Sequence, residues 1–148
     1  MPLRFIQMWM TPSARNLAPN YGSMRGHEAA ASRHNSWAHL VSDVDNPDPT
    51  PVKIHSDANI FVSELKAACS LPLRVRASRQ AYFLCLEGHV AVAGEYLAES
   101  LSQHDAAEIV GDVELKLTAG ANGAHLLVVE MKGQGEHSRF RSLERRYG

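Results

Sequence analysis

Tyr82-Phe83-Leu84-Cys85-Leu86-Glu87-Gly88-His89-Val90-Ala91-Val92-Ala93 decides the fold class of this 148-residue chain. Residues 82–86 are nearly all apolar, as expected of a strand covered on both faces. Glu87-Gly88 is a tight-turn signal, and residues 89–93 read as the strand returning from it. Before this stretch, strand patterns recur at residues 37–41, 52–55, 60–65 and 71–76. In 60–65, alternation puts Ile60 and Val62 on one face and Phe61, Ser63 and Leu65 on the other. After it come Tyr96-Leu97 and residues 107–110, 114–118 and 125–130, with Gly94, Gly111, Gly120 and Gly123 between them. Short strands at this spacing predict a sandwich or jelly roll.

The flanks differ from this middle. Residues 4–10 are β-rich and bounded by Thr11-Pro12, and 11–35 form a long irregular arm with Pro12, Pro19, Gly22 and Gly26. One helical turn fits residues 28–32. Residues 42–51 hold Asp43, Asp45, Asn46 and Asp48 among three prolines, which is turn chemistry rather than an EF-hand loop, whose remaining ligands and distal Glu are missing. The tail carries Lys132, Arg139, Arg141, Arg145 and Arg146 against Glu136 and Glu144. Phe140, Leu143 and Tyr147 fall at helical spacing, so the tail is either a short docked helix or a solvated segment. The expected organisation is an N-terminal strand and arm at 1–35, a β-barrel at 36–131 and a basic tail at 132–148.

Composition removes several function classes. Lys plus Arg number 15 and Asp plus Glu 16, so no overall basic field points to nucleic acid. The apolar runs are far shorter than the roughly 18–20 residues that span a bilayer. The N-terminus lacks the pattern of a secretory signal, and the expected location is cytoplasmic. Two cysteines make no disulfide framework; Cys85, in its apolar strand, reads as a buried thiol.

The order of strands and turns resembles the cupin superfamily, and within it the C-terminal half of pirin-like proteins (bicupins). Phe5-Ile6-Gln7-Met8-Trp9-Met10-Thr11-Pro12 is similar to the family's interdomain strand, and Asn16-Leu17-Ala18-Pro19-Asn20-Tyr21 to its continuation. His39-Leu40-Val41-Ser42-Asp43, Val52-Lys53-Ile54-His55-Ser56-Asp57, Leu86-Glu87-Gly88-His89-Val90 and Asp105-Ala106-Ala107-Glu108-Ile109 resemble further family motifs in the same order. The resemblance implies an all-β fold: a single cupin-type jelly roll, or double-stranded β-helix barrel, with an extended N-terminal arm and a short C-terminal tail. Pirin-like proteins usually begin with another cupin domain that carries the metal, and this chain starts at the interdomain strand.

The resemblance also locates where a cupin metal site would fall. Counting back from Gly88, the paired-His positions land on Arg74 and Arg76 or on Val75 and Ala77, the Glu position on Ala81, and the fourth ligand near Ala107. Residues 72–84 contain no His, Asp or Glu, so a one-residue slip restores nothing. Iron, nickel, copper and manganese need nitrogen and oxygen donors there. No metal ligand, catalytic residue or cofactor is therefore expected. The eight histidines, at 27, 34, 39, 55, 89, 104, 125 and 137, contain no His-x-His pair and read as surface or turn residues; His104 sits where the family prefers a turn glycine.

Arg74, Arg76 and Arg79 are the candidate ligand-binding residues. Facing into the barrel, they would favour a small carboxylate or phosphate ligand. The alternation of Leu71, Leu73 and Val75 favours an outward, solvated face instead. The preferred expectation is a metal-free binding or assembly module. The resemblance implies two alternatives: a metal-dependent dioxygenase acting on a flavonol such as quercetin, and a regulatory protein that contacts transcription factors. Phe5, Ile6, Met8, Trp9 and Met10 are too apolar to be left in water. They predict a homodimer through the N-terminal strand, with folding back onto the chain's own barrel as the competing arrangement.

Overall fold

The computed structural model describes residues 5–28, 30–133 and 139–143, and strands dominate it. A single helical turn, α1 (Ala30–Arg33), precedes β1 (Ala38–Asp43), β2 (Val52–Ile54), β3 (Ala58–Leu65), β4 (Ser70–Val75), β5 (Arg79–Gly94), β6 (Leu97–Ser102), β7 (Ala106–Val110), β8 (Val113–Lys132) and β9 (Arg139–Leu143). Hydrogen bonding runs in the order β2-β1-β3-β8-β5-β7-β9, with β4 added to β8 and β6 to β5. Only β1 and β2 are parallel. Among the described residues the path stays open, ending at β2 and β9, so the barrel is a bent jelly roll rather than a closed cylinder. Among the described residues no helix is long and apolar enough to cross a membrane.

The hairpin expected at Glu87-Gly88 does not form. β5 continues through Gly88, and its two halves pair with the two halves of β8 all the way from Arg79↔Lys132 to Ala93↔Lys116. The register shifts at Cys85/Glu87 and at Gly88/Val90, so the turn signal is a β-bulge inside a long bent strand. Residues 114–118 and 125–130 likewise belong to one strand, β8, bent at its glycines. Gly88 (φ +77°) and Gly123 (φ +78°) face each other at the bend, where backbone approaches backbone too closely for a side chain. The true turn is Glu95-Tyr96, which joins β5 to β6 at the pair Gly94↔Leu97.

The bend makes two layers. One holds β3, the C-terminal half of β8, the N-terminal half of β5, and β7. The other holds β4, the N-terminal half of β8, the C-terminal half of β5, and β6. Between them lies the core, built from Leu71, Leu73 and Val75 of β4, Val90 and Val92, Leu101, Ile109, Leu117, and Phe83, Leu126 and Val128. A second apolar cluster covers the other side of the first layer, centred on Ile60, Leu127 and Val129. The alternation expected in β3 holds: Ile60 and Val62 join the second cluster, while Leu65 and Phe61 join or pack on the first.

Both flanks depart from expectation. Residues 5–10 lie in no strand, because the nearest edge, β2, is only three residues long and is followed instead by residues 13–20. The tail forms strand β9 on β7 rather than a docked helix; the open edge of β7 offers five backbone pairs, which a helix could not use. Phe140, opposite Ile109, packs on the core. Tyr147, Arg145, Arg146 and His137 lie outside the described residues.

The glycine-like reading of position 104 is correct. His104 has φ 72°, its N–H donates to Cys85 O at 2.7 Å, and the Asp105 N–H closes the turn on Ser102 O at 3.0 Å. An L-residue held left-handed costs about 1 kcal/mol. His104→Gly should therefore raise the unfolding free energy by about 1 kcal/mol in a urea titration, and a loss of stability would contradict this account.

Candidate functional site

Of the positions where the resemblance places cupin metal ligands, three are built into the core. Val75, Ala81 and Ala107 are buried and belong to the main apolar cluster beside Phe83 and Ile109. Arg74 and Arg76 fall outside it, and Ala77 is exposed beyond the end of β4. The inward side chains there carry no lone pair to offer a cation. Among the described residues, no group of three or more His, Cys, Asp or Glu is placed to hold a metal ion. The residues at these positions do not fit a metal.

A polar chain crosses the same layer instead. Arg79 reaches Glu130 through Nε at 2.5 Å and Nη2 at 2.8 Å, and its Nη1 bridges both oxygens of Asp57 at 2.7 and 2.8 Å. Asn59 Nδ2 donates to Glu130 Oε2 at 2.7 Å, and Asn59 Oδ1 lies 2.9 Å from His39 Nε2. His39 Nδ1 is 3.2 Å from Asp48 Oδ2, and its ring stacks on Phe61 with centroids 4.3 Å apart. Strand register explains the assembly: Asn59 pairs with Glu130, Ala81 also pairs with Glu130, and Arg79 is two residues along β5. Hydrogen bonding to Glu130, opposed in part by burial, holds the Arg79 guanidinium above its ordinary range. Local patterning carries no trace of this chain, because its members come from five separate segments.

The three candidate arginines do not share a pocket. Arg79 is committed to two carboxylates. Arg76 is exposed, and Arg74, on the outer side of β4, lies 3.6 Å from Asp112. The inward reading thus fails for Arg74 by the alternation of its own strand. Arg74 instead borders a cleft of about 650 Å³ at one end of the sheets, with Tyr96, Asp112, Glu114, Arg139 and Phe140 on its walls. Its charges are mixed, so it is not a cationic pocket. The aspartates of residues 43–48 do the turn work expected of them: Asp43 accepts from the Asp45 N–H and Asn46 from the Asp48 N–H. Lys53 Nζ donates to Asn46 O and Asp48 O, both at 2.7 Å.

Cys85 is fully buried, as its strand predicts. Burial, reinforced by the charge of Asp105, pushes its thiol up from 9.0 to about 11. The fold accommodates the neutral thiol, so this contribution is complete below about pH 9 and is lost as pH rises towards 11. The loss should reach about 2 kcal/mol. Urea titrations across this range should show Cys85→Ala less stable at neutral pH but with a flatter alkaline decline; equal slopes would refute the assignment.

Comparison with known proteins agrees with the fold. A family model described as the quercetinase C-terminal cupin domain matches residues 39–131. No curated protein matches the chain. Of the solved structures, YhhW from Escherichia coli has a TM-score of 0.69 at 18% identity, covering 87% of this chain and 50% of that one. The bacterial pirin YhhW in complex with nickel(II), also from E. coli, has a TM-score of 0.55 at 17% identity, covering 66% and 40%. The Schizosaccharomyces pombe Cnp3 cupin domain has a TM-score of 0.51 at 11% identity, covering 65% and 63%. At these identities the likeness is one of fold. The chain spans half the length of the first of these structures.

Proposed function

Because the chain belongs to the pirin-like cupins, through their quercetinase C-terminal cupin domain, we propose that it acts as a metal-free binding module rather than as an oxygenase. The observation that carries this reading is the burial of Val75, Ala81 and Ala107, at 1%, 2% and 0% exposure, where a cupin would place its donors. Binding a redox metal there needs several nitrogen or oxygen ligands and room for them, and the interior supplies neither. The nearby carboxylate of Glu130 is no substitute, since both its oxygens already accept hydrogen bonds from Arg79 and Asn59. The module's ligand surface is the cleft bordered by Arg74 and Arg139, where the aromatic rings of Tyr96 and Phe140 stand beside both signs of charge.

Elemental analysis of the purified chain should find far less than one transition metal per molecule. After incubation with iron, nickel or copper and gel filtration, oxygen uptake with quercetin should match free-metal controls. A stoichiometric metal retained through filtration, together with quercetin-dependent oxygen uptake, would overturn the proposal in favour of a dioxygenase of the kind the family description names.

A further inference from the structure

The first described residues of the arm carry a run of exposed apolar side chains. Phe5 is 78% exposed and Trp9 89%, with Ile6 and Met8 at 47% and 41%. These side chains are not on a slack tail. Just beyond them, Met10 packs on the cluster of Ile60, Leu127 and Val129. The Ser13 N–H donates to His55 O at 2.7 Å, His55 Nε2 lies 3.2 Å from Ala18 O, and the Asn20 amide donates to Lys53 O at 2.8 Å. Gly22 is set so close to the end of β2 that a Cβ there would come within 2.7 Å of Pro51 O. Residues 10–22 are therefore fastened along β2, and residues 5–9 run directly into this anchored stretch.

Against them opens a groove of about 420 Å³, with Met8, Trp9 and Met10 along one side and Val41, Val52, Ile54 and Ile60 along the other. Projecting aromatics and an apolar groove thus lie on one patch. Trp9 borders its own groove yet stays 89% exposed, so the indole stands at the rim and does not fill it.

We infer that this patch joins two copies of the chain about a two-fold axis, Trp9 and Phe5 of each copy entering the groove of the other. A patch that carries both knob and hole satisfies itself in one closed contact, which is what an isologous interface requires. The area suffices. Two aromatic side chains bury about 150–250 Å² each. Ile6, Met8 and the groove walls bring the patch towards the roughly 800 Å² per partner of a standard interface. Because residues 10–22 are already anchored, the ordering cost of the contact falls on the short stretch 5–9 alone. The inference is independent of the metal-free reading: a metal in the core would leave this outer patch unchanged.

Sedimentation equilibrium of the full chain, from about 1 to 100 µM, tests it. The chain should fit a monomer–dimer equilibrium. Phe5→Ser/Trp9→Ser, which alters only exposed side chains and should keep the far-ultraviolet circular dichroism, should weaken the dimer about 30-fold or more. The chain has two tryptophans, so Trp37→Phe isolates Trp9 as a reporter, and its emission should shift to the red on dilution. A monomer at the top of the range, a mass that grows without limit, a dimer indifferent to the double substitution, or a Trp9 emission that ignores dilution would each overturn the inference.

Discussion

Gly88→Ala should be the most damaging single-methyl substitution in this chain, lowering the unfolding free energy by about 3 kcal/mol or more. Two effects add at this position. Gly88 sits at φ +77°, where an L-residue costs about 1–2 kcal/mol. The new methyl would also overlap the carbonyl oxygen of Gly123, a backbone atom that no side-chain rotation can move. Relief requires β5 and β8 to part at the bend that turns both strands from one layer to the other. Gly123→Ala meets a comparable obstacle, since its Cβ would lie 2.6 Å from Leu65 O. Gly26, with open space around it, is the control, and Gly26→Ala should change stability by less than about 0.5 kcal/mol. Urea midpoints for the three variants check the ranking. A Gly88→Ala chain as stable as the parent would mean that the bulge is not where the bend is made.

Arg79→Ala should cost about 2–3 kcal/mol, more than any other loss of a charged side chain here. The Arg79 and Glu130 side chains are only 19% and 18% exposed, and they meet through two hydrogen bonds. Removing the guanidinium leaves a largely buried carboxylate that keeps the Asn59 amide as a donor, and that unmet charge dominates the cost. The estimate lies below the 3–5 kcal/mol of a fully buried pair because some water still reaches both groups. Arg79→Lys should recover only part of the loss, since an ammonium cannot present the two-pronged geometry. Asp57→Ala should cost about 0.5 kcal/mol, because that carboxylate is 58% exposed. A double-mutant cycle on Arg79 and Glu130 should give a coupling of about 1 kcal/mol or more. A cycle that closes at zero would show that the pair is incidental. The raised pKa of the guanidinium keeps this contribution intact throughout the working pH range, so no pH-dependent loss is expected from Arg79 itself.

Within the chain's own letters, alternation and apolar content determined that the molecule is β-rich, that Ile60 and Phe61 serve opposite faces and that Cys85 is buried, while the resemblance to cupins placed the ligand positions on side chains without donors. Position 104 was legible as a left-handed turn residue through its resemblance to a glycine site. These are properties of single residues or of neighbours along one strand, where side-chain direction follows directly from backbone period. Only the tertiary structure decided whether Glu87-Gly88 reverses the chain or bends it. A glycine at positive φ serves a turn and a bulge equally well, and the difference lies in whether β8, more than twenty residues away in sequence, pairs with both halves. The same holds for the tail, where apolar spacing suited a helix until the open edge of β7 offered hydrogen bonds. The same holds again for Arg79, whose acidic partners come from 22 residues before it and 51 residues after it. Pairing across such distances is set by which edges and charges the folded layers bring together, and no local pattern encodes that choice.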